Sequence, residues 1–219
     1  MSYTIREILS YLYNINETNG LTEEELDFLE NKFGKLPKAL TEFYALCGHC
    51  DNILVNQDIW ITPRDYKKWS WLNDNKYMVL LDENQGVYIA AILEEDLRKD
   101  NPSVYVSSDS GETWELCADS LENFIKAALI YEAVFSFPYS AETIYTLTED
   151  EVALVKEKLS QLPYHLENWF GKVWLFQDLP NSAAFVLEVD GDFQVLYGAS
   201  SKEAFQRIAS RLNGIGEKI

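Results

Sequence analysis

The chain is short of cysteine, of basic side chains and of long apolar runs, and each shortage excludes a class of protein. Three cysteines among 219 residues are too few, and odd in number, for a disulfide framework, and they fit a reducing compartment. Eighteen Lys and Arg against 36 Asp and Glu leave a formal charge of −18, which argues against a broad electrostatic grip on nucleic acid or an anionic membrane. The complement of such a surface is a basic partner. The apolar stretch 127–135 is broken by Glu132 and falls far short of the roughly 20 residues that span a bilayer. The opening residues Met-Ser-Tyr-Thr-Ile-Arg-Glu show no cationic leader followed by an apolar run, so a cytoplasmic location is the expectation. No phosphate-cradling glycine loop, serine nucleophile elbow or paired-histidine motif is present. No catalytic residue, metal site or cofactor is therefore expected.

What is present is enough apolar material, 47% of residues, for a sizeable core. Ile5, Ile8, Leu9 and Leu12 recur at helical spacing. Thr22 followed by three Glu residues reads as an N-cap, and the spacing predicts a helix to about Phe33, ended by Gly34. Pro37 opens a further helix with Leu40, Phe43, Tyr44 and Cys47 on one face, and Gly48 stops it. From Asn52 to Trp114 come short β-rich runs, 53–55, 77–81, 87–92, 104–106 and 113–116, separated by polar turns, as in an antiparallel sheet. Ser120 then caps a helix carrying Leu121, Phe124, Ile125, Ala128 and Leu129. Helices, strands, then a helix describe an α+β fold, with an antiparallel or mixed sheet flanked by helices.

After Phe137-Pro138 the pattern starts again. At an offset of 126 positions, Thr22, Glu23, Glu25, Lys32, Leu36, Pro37 and Leu40 align with the identical Thr148, Glu149, Glu151, Lys158, Leu162, Pro163 and Leu166. Strand-like runs around an Asp190-Gly191 hairpin turn and a last helix to Leu212 follow. The expected organisation is two domains, 1–140 and 141–219, the second a shorter α+β repeat.

Cys47-Gly48-His49-Cys50 invites two further readings. A thiol–disulfide oxidoreductase places such a pair at a helix N-terminus after a buried parallel strand; here the pair falls at a helix C-terminus, where the dipole raises a thiol pKa. A structural zinc site with Cys117 or His165 needs two paired ligand clusters, and only one exists. Cys47 and Cys117 read as small core residues, and His165 as a surface side chain on the second Leu-Pro helix. Trp69 and Trp71, beside Lys67 and Lys68, are candidates for an exposed aromatic surface.

Leu36-Pro37 with Leu40-Thr-Glu-Phe-Tyr, the strand 87–92, Asn101-Pro-Ser-Val-Tyr105, Trp114 and Ser120-Leu-Glu-Asn-Phe-Ile125 together resemble the SUKH superfamily, over roughly residues 20 to 135. The chain departs from it in having His49-Cys50 where a double glycine usually stands. The resemblance implies an α+β domain without catalytic residues and, as in bacterial members, neutralisation of a toxin, often a nuclease; a regulatory scaffold of the fungal type is the other implied role. The charge distribution suits the first. Between Asp82 and Glu122 stand 11 acids and only two bases, net −9. A nuclease binds phosphate with Lys and Arg, so an acidic surface can occupy that site. Glu94, Glu95, Asp96 and Asp100 on one loop, with Asp109 and Glu112 on the next, are the candidate partner-binding residues.

Overall fold

The structure is a computed structural model that describes residues 3–73 and 76–218. Two compact units share the chain, one of residues 17–125 and one built from the first 16 residues and 126 onward. Helix α1 (Ile5–Tyr13) belongs to the latter.

In the 17–125 unit, the Glu25 amide donates to the Thr22 hydroxyl at 3.3 Å while the Glu25 carboxylate accepts the Thr22 amide at 2.9 Å. This reciprocal cap starts α2 (Glu23–Phe33) by satisfying N–H groups that a helix leaves unpaired. Gly34 closes α2, and Pro37 precedes α3 (Lys38–Cys47), whose Leu40, Phe43, Tyr44 and Cys47 are all buried. One more helical turn follows, α4 (Asp51–Leu54). The sequence reads 53–55 as strand; instead the Ile53 and Leu54 amides both donate to the Cys50 carbonyl, at 2.9 and 3.0 Å. The turn buries both side chains, a tertiary gain that outweighs the β-propensity of three residues.

Then come β1 (Asp58–Trp60), α5 (Pro63–Lys68), a 3₁₀ turn at 70–73 and the strands β2 (Tyr77–Glu83), β3 (Ile89–Leu93), β4 (Val104–Ser107) and β5 (Glu115–Ala118). They form one antiparallel sheet in chain order, β1-β2-β3-β4-β5. Trp60, on β1, packs at a tilt against Phe43 with ring centroids 4.6 Å apart and meets Phe124 at 6.0 Å. The Tyr44 hydroxyl donates to the Ile61 carbonyl at 2.6 Å, which joins α3 to the sheet edge. Helix α6 (Leu121–Ser136) is buried on every side from Phe124 to Val134, and the boundary between the units falls inside it.

The other unit continues with β6 (Tyr139–Ser140), β7 (Tyr145–Leu147), α7 (Glu149–Lys158), β8 (Ser160–Leu166), β9 (Lys172–Gln177), β10 (Ser182–Val189), β11 (Asp192–Ala199), α8 (Lys202–Leu212) and β12 (Glu217–Lys218). Its antiparallel sheet runs β12-β7-β11-β10-β9-β8, with β6 also on β11. Asp190 and Gly191 take φ of +53° and +89°, the left-handed pair that a tight two-residue hairpin needs. Alternation along β10 sets the two faces. Ala184 and Val186 join Val155, Ile208 and Leu212 in a core with α7 and α8. Phe185 points the other way, to Tyr131 and Phe135 of α6, at 4.9 and 5.4 Å. The fold is thus α+β with two antiparallel sheets.

The two aligned segments agree in structure through the capped helix and diverge at Leu-Pro. Thr148 and Glu151 form the same reciprocal cap as Thr22 and Glu25. Leu162-Pro163, however, lies in strand β8 and opens no helix, and His165 is therefore a strand residue, exposed and 3.0 Å from Glu167. Pro163 is tolerated because β8 is the sheet edge and its pairing with β9 shifts register between Gln161 and His165, the two settings that do not need its missing N–H. Both units do share the order helix, four-stranded antiparallel meander, helix.

Candidate protein-binding surface

Cys47 and Cys50 are both free and buried. Cys47 is fully buried, its thiol donates to the Phe43 carbonyl at 3.3 Å, and burial pushes its pKa far up. Cys50 is raised as well, by burial first and then by the charge of Asp51. Thiolate chemistry needs the opposite shift. We expect an alkylating reagent at neutral pH to label both at well under about a tenth of the rate of free cysteine, whose pKa is near ~8.5; a thiolate titrating clearly below that value would revive a redox role. His49 holds the Glu25 carboxylate at 3.0 Å and its carbonyl accepts from the Asn19 side chain at 3.1 Å, so it braces the end of α3 against the start of α2. Among the described residues no three His, Cys, Asp or Glu side chains are placed to hold a metal ion.

The six candidate acids separate into two kinds. Asp96 is 4% exposed and lies 2.5 Å from the Lys99 ammonium. Asp109 accepts from the Ser107 hydroxyl at 2.7 Å, from the Thr113 hydroxyl and amide at 2.6 and 2.9 Å, and from the Glu112 amide at 3.1 Å. These bonds, the Ser107 hydroxyl foremost, pull its pKa down to about 2, so the turn keeps its brace until pH falls toward that value. Glu83 does the same work in the β2–β3 turn, accepting the Gln85 and Val87 amides at 3.0 and 3.1 Å. Glu94, Glu95, Asp100 and Glu112 remain, all exposed and all without an ion-pair partner among the described residues.

Tyr77, at the start of β2, organises the surface between these acids. It packs edge-on against Trp114, with centroids 4.6 Å apart and planes at 67°, and its hydroxyl reaches the Ser110 carbonyl at 3.5 Å. The β4–β5 turn crosses it at Gly111, where φ is +89° and a Cβ would come within 2.3 Å of the Tyr77 oxygen. Only glycine allows that crossing. On one side of Tyr77 a groove of about 440 Å³ carries Glu94 and Glu95 opposite Lys32, Lys76 and Arg98. On the other a groove of about 380 Å³ is lined by Trp71, Val87, Tyr88, Ser110 and, as the single charged group among the described residues, Asp82.

That second groove is one the sequence does not announce. Trp71 is 40% exposed and Val87 44%, while Trp69 is half-buried with the Lys68 ammonium 5.3 Å above its ring. Of the expected aromatic surface, Trp71 lines the groove and Trp69 does not. Asp82 is half-buried, and burial, then the neighbouring Glu83, raises its pKa. A carboxylate held among aromatic faces gains from a cation brought beside it, through charge pairing and through the rings. The available signal was Asp82 itself, which with Glu83 ends an otherwise apolar strand.

A model of the SMI1/KNR4 family (SUKH-1) matches residues 20–127. Through this stretch the chain belongs to the SUKH superfamily. The match coincides closely with the 17–125 unit, so the SUKH-1 domain is the unit that carries both grooves. No curated protein and no solved structure matches the chain. SUKH-1 membership is consistent with a toxin-immunity or regulatory role and implies protein–protein interaction. No helix among the described residues is long and apolar enough to cross a membrane.

Proposed function

We propose that the chain is a non-catalytic, cytoplasmic binding protein that neutralises a basic protein toxin, a nuclease being the class whose active site fits best. The observation that carries this reading is the aromatic groove whose one charged lining residue among those described is Asp82, together with the exposed carboxylates of Glu94 and Glu95 in the adjoining groove and of Glu112 on the β4–β5 turn. Lys or Arg of the toxin enters the groove against Asp82 and the rings, while the outer carboxylates steer the approach. Asp96 and Asp109 serve the same surface from inside, as loop braces. Steering of this kind is screened by salt.

The experiment is capture of partners from lysate of the source cell by tagged wild type and by a Glu94→Lys/Glu95→Lys/Glu112→Lys variant, at ~0.05 M and ~0.5 M salt. The expected result is one basic domain, held by wild type at low salt, loosened at high salt and lost by the variant. Several unrelated proteins, held equally by both forms at both salts, would indicate a regulatory scaffold and remove these carboxylates from the account.

A further inference from the structure

The SUKH-1 domain also carries a groove of opposite character. Residues 17–125 contain 22 acids and nine bases, yet six of the nine bases line two adjoining grooves that share Phe33, Leu97 and Arg98. The larger, about 960 Å³, runs between the α2–α3 connection and the 97–100 loop. Its floor is apolar: Leu36, Pro37 and Leu97 are buried and Phe33 is half-buried. Its rim carries Lys35, Lys38, Lys99 and Arg98 against Glu30 and Asp100. Lys99 is neutralised by Asp96. Glu30 is engaged by the Leu36 amide at 3.3 Å. Lys35, Lys38 and Arg98 are exposed and have no ion-pair partner among the described residues. In a chain of net charge −18, carboxylates to pair with are plentiful, so three unpaired cations around one apolar trough are a local reversal of the molecule's field.

We infer that this groove seats an extended acidic peptide segment of a partner protein, with apolar side chains on the Phe33–Leu36–Leu97 floor and carboxylates on Lys35, Lys38 and Arg98. The charges fit such a segment better than a polyphosphate or nucleic acid. Glu30 and Asp100 on the rim, and Glu94 and Glu95 in the adjoining groove, repel a continuous line of phosphates, whereas a peptide offers carboxylates only at intervals and apolar groups between them. Helix α3 begins beside Lys35 with no acidic residue in its first turn and no side-chain cap, which leaves the positive end of its dipole uncompensated on the same rim.

The test uses the full chain and a short fluorescein-labelled peptide in which Glu alternates with Leu and Gly, read by fluorescence anisotropy at ~0.05 M and ~0.3 M salt. Saturable binding that weakens with salt is expected, reduced about tenfold or more by Lys35→Glu/Lys38→Glu and by Arg98→Glu. Lys202→Glu, an exposed reversal outside this domain, is expected to leave binding unchanged. Arg98→Glu and Lys202→Glu make the same net-charge change, so a different outcome for these two separates the groove from overall charge. Circular dichroism of each variant checks that these exposed substitutions leave the fold intact. Absence of saturable binding by wild type, equal loss in all three variants, or equal binding of inorganic polyphosphate would overturn the inference. None of these outcomes depends on a toxin partner, so this groove and the Asp82 groove stand or fall separately.

Discussion

A Trp60→Ala variant is expected to lose about 3–5 kcal/mol of stability in the SUKH-1 domain, the largest effect of any single substitution considered. Trp60 is 1% exposed and fills the space between Phe43 of α3 and Phe124 of α6. Truncation removes the largest apolar side chain of that contact and leaves a cavity whose walls are a helix, a strand and a second helix, none free to collapse. Trp60→Phe separates packing from polarity. The indole N–H has no hydrogen-bond partner among the described residues, so Phe gives up area but no bond and is expected to cost only about 1–2 kcal/mol. Urea unfolding followed by far-ultraviolet circular dichroism measures both. Hydrogen exchange over 17–125 localises the loss to this unit. Equal costs for Ala and Phe would mean that the indole packs far more loosely than the centroid distances indicate.

The second large effect belongs to the other unit. Asp178, in the β9–β10 connection, has a side chain only 5% exposed and accepts from Arg207 Nε and Arg211 Nε, both at 2.6 Å. The two arginines stand one turn apart on α8, so one carboxylate fixes the helix against the sheet. Arg211 also donates to the Lys158 carbonyl at 3.1 Å, which caps the end of α7. Removing a buried carboxylate strands its partners, but here the guanidinium groups are about half exposed and recover water. Asp178→Ala is accordingly expected to cost about 2–3 kcal/mol, less than a fully buried pair would, and Asp178→Asn less again because one acceptor remains. Urea titration with hydrogen exchange read over α8 is the measurement. A cost below about 0.5 kcal/mol would place the pair among ordinary surface ion pairs.

Local signals carried most of the fold. Thr22 and Thr148 with their N3 glutamates marked two helix starts, Pro37 marked a third, and the polar turns marked the meander. Two errors have one cause, a local match preferred to the period around it. Leu162-Pro163 aligned with the helix-opening Leu36-Pro37, yet Leu162, Tyr164 and Leu166 alternate with polar neighbours at period two, and that alternation is the buried face of β8. At 53–55 a β-rich triplet looked like a strand, although three residues are too few to resist a helical turn that buries two of them.

The acidic surface was legible as composition but not as geometry. A charge count treats Asp96 and Asp109 like Glu94 and Glu112, whereas the fold uses the first two internally. For Asp109 a signal existed: Ser-Asp-Ser-Gly is turn chemistry, in which an Asp side chain bonds its own loop. For Asp96 none did, because its burial depends on the 94–100 loop folding back on itself. Nor does the sequence bring Trp71, Tyr77, Asp82 and Tyr88 together, since they converge only through the pairing of β2 with β3 and the 3₁₀ turn before it. The basic groove was hidden for the same reason, with Arg98 about 60 positions from Lys35 and Lys38 in the chain and on a different part of the fold, since Lys35 precedes α3 and Lys38 begins it.

The most direct test of the central claim, that this SUKH-1 protein acts by holding a basic partner on the Asp82 and Tyr77 surface, is the association rate of the captured partner with wild type and with Glu94→Lys/Glu95→Lys/Glu112→Lys as salt rises from ~0.05 M to ~0.5 M. A wild-type rate that falls steeply with salt, and a variant rate already low and nearly flat, is the predicted result. Identical rates and identical salt dependence in the two proteins would contradict it.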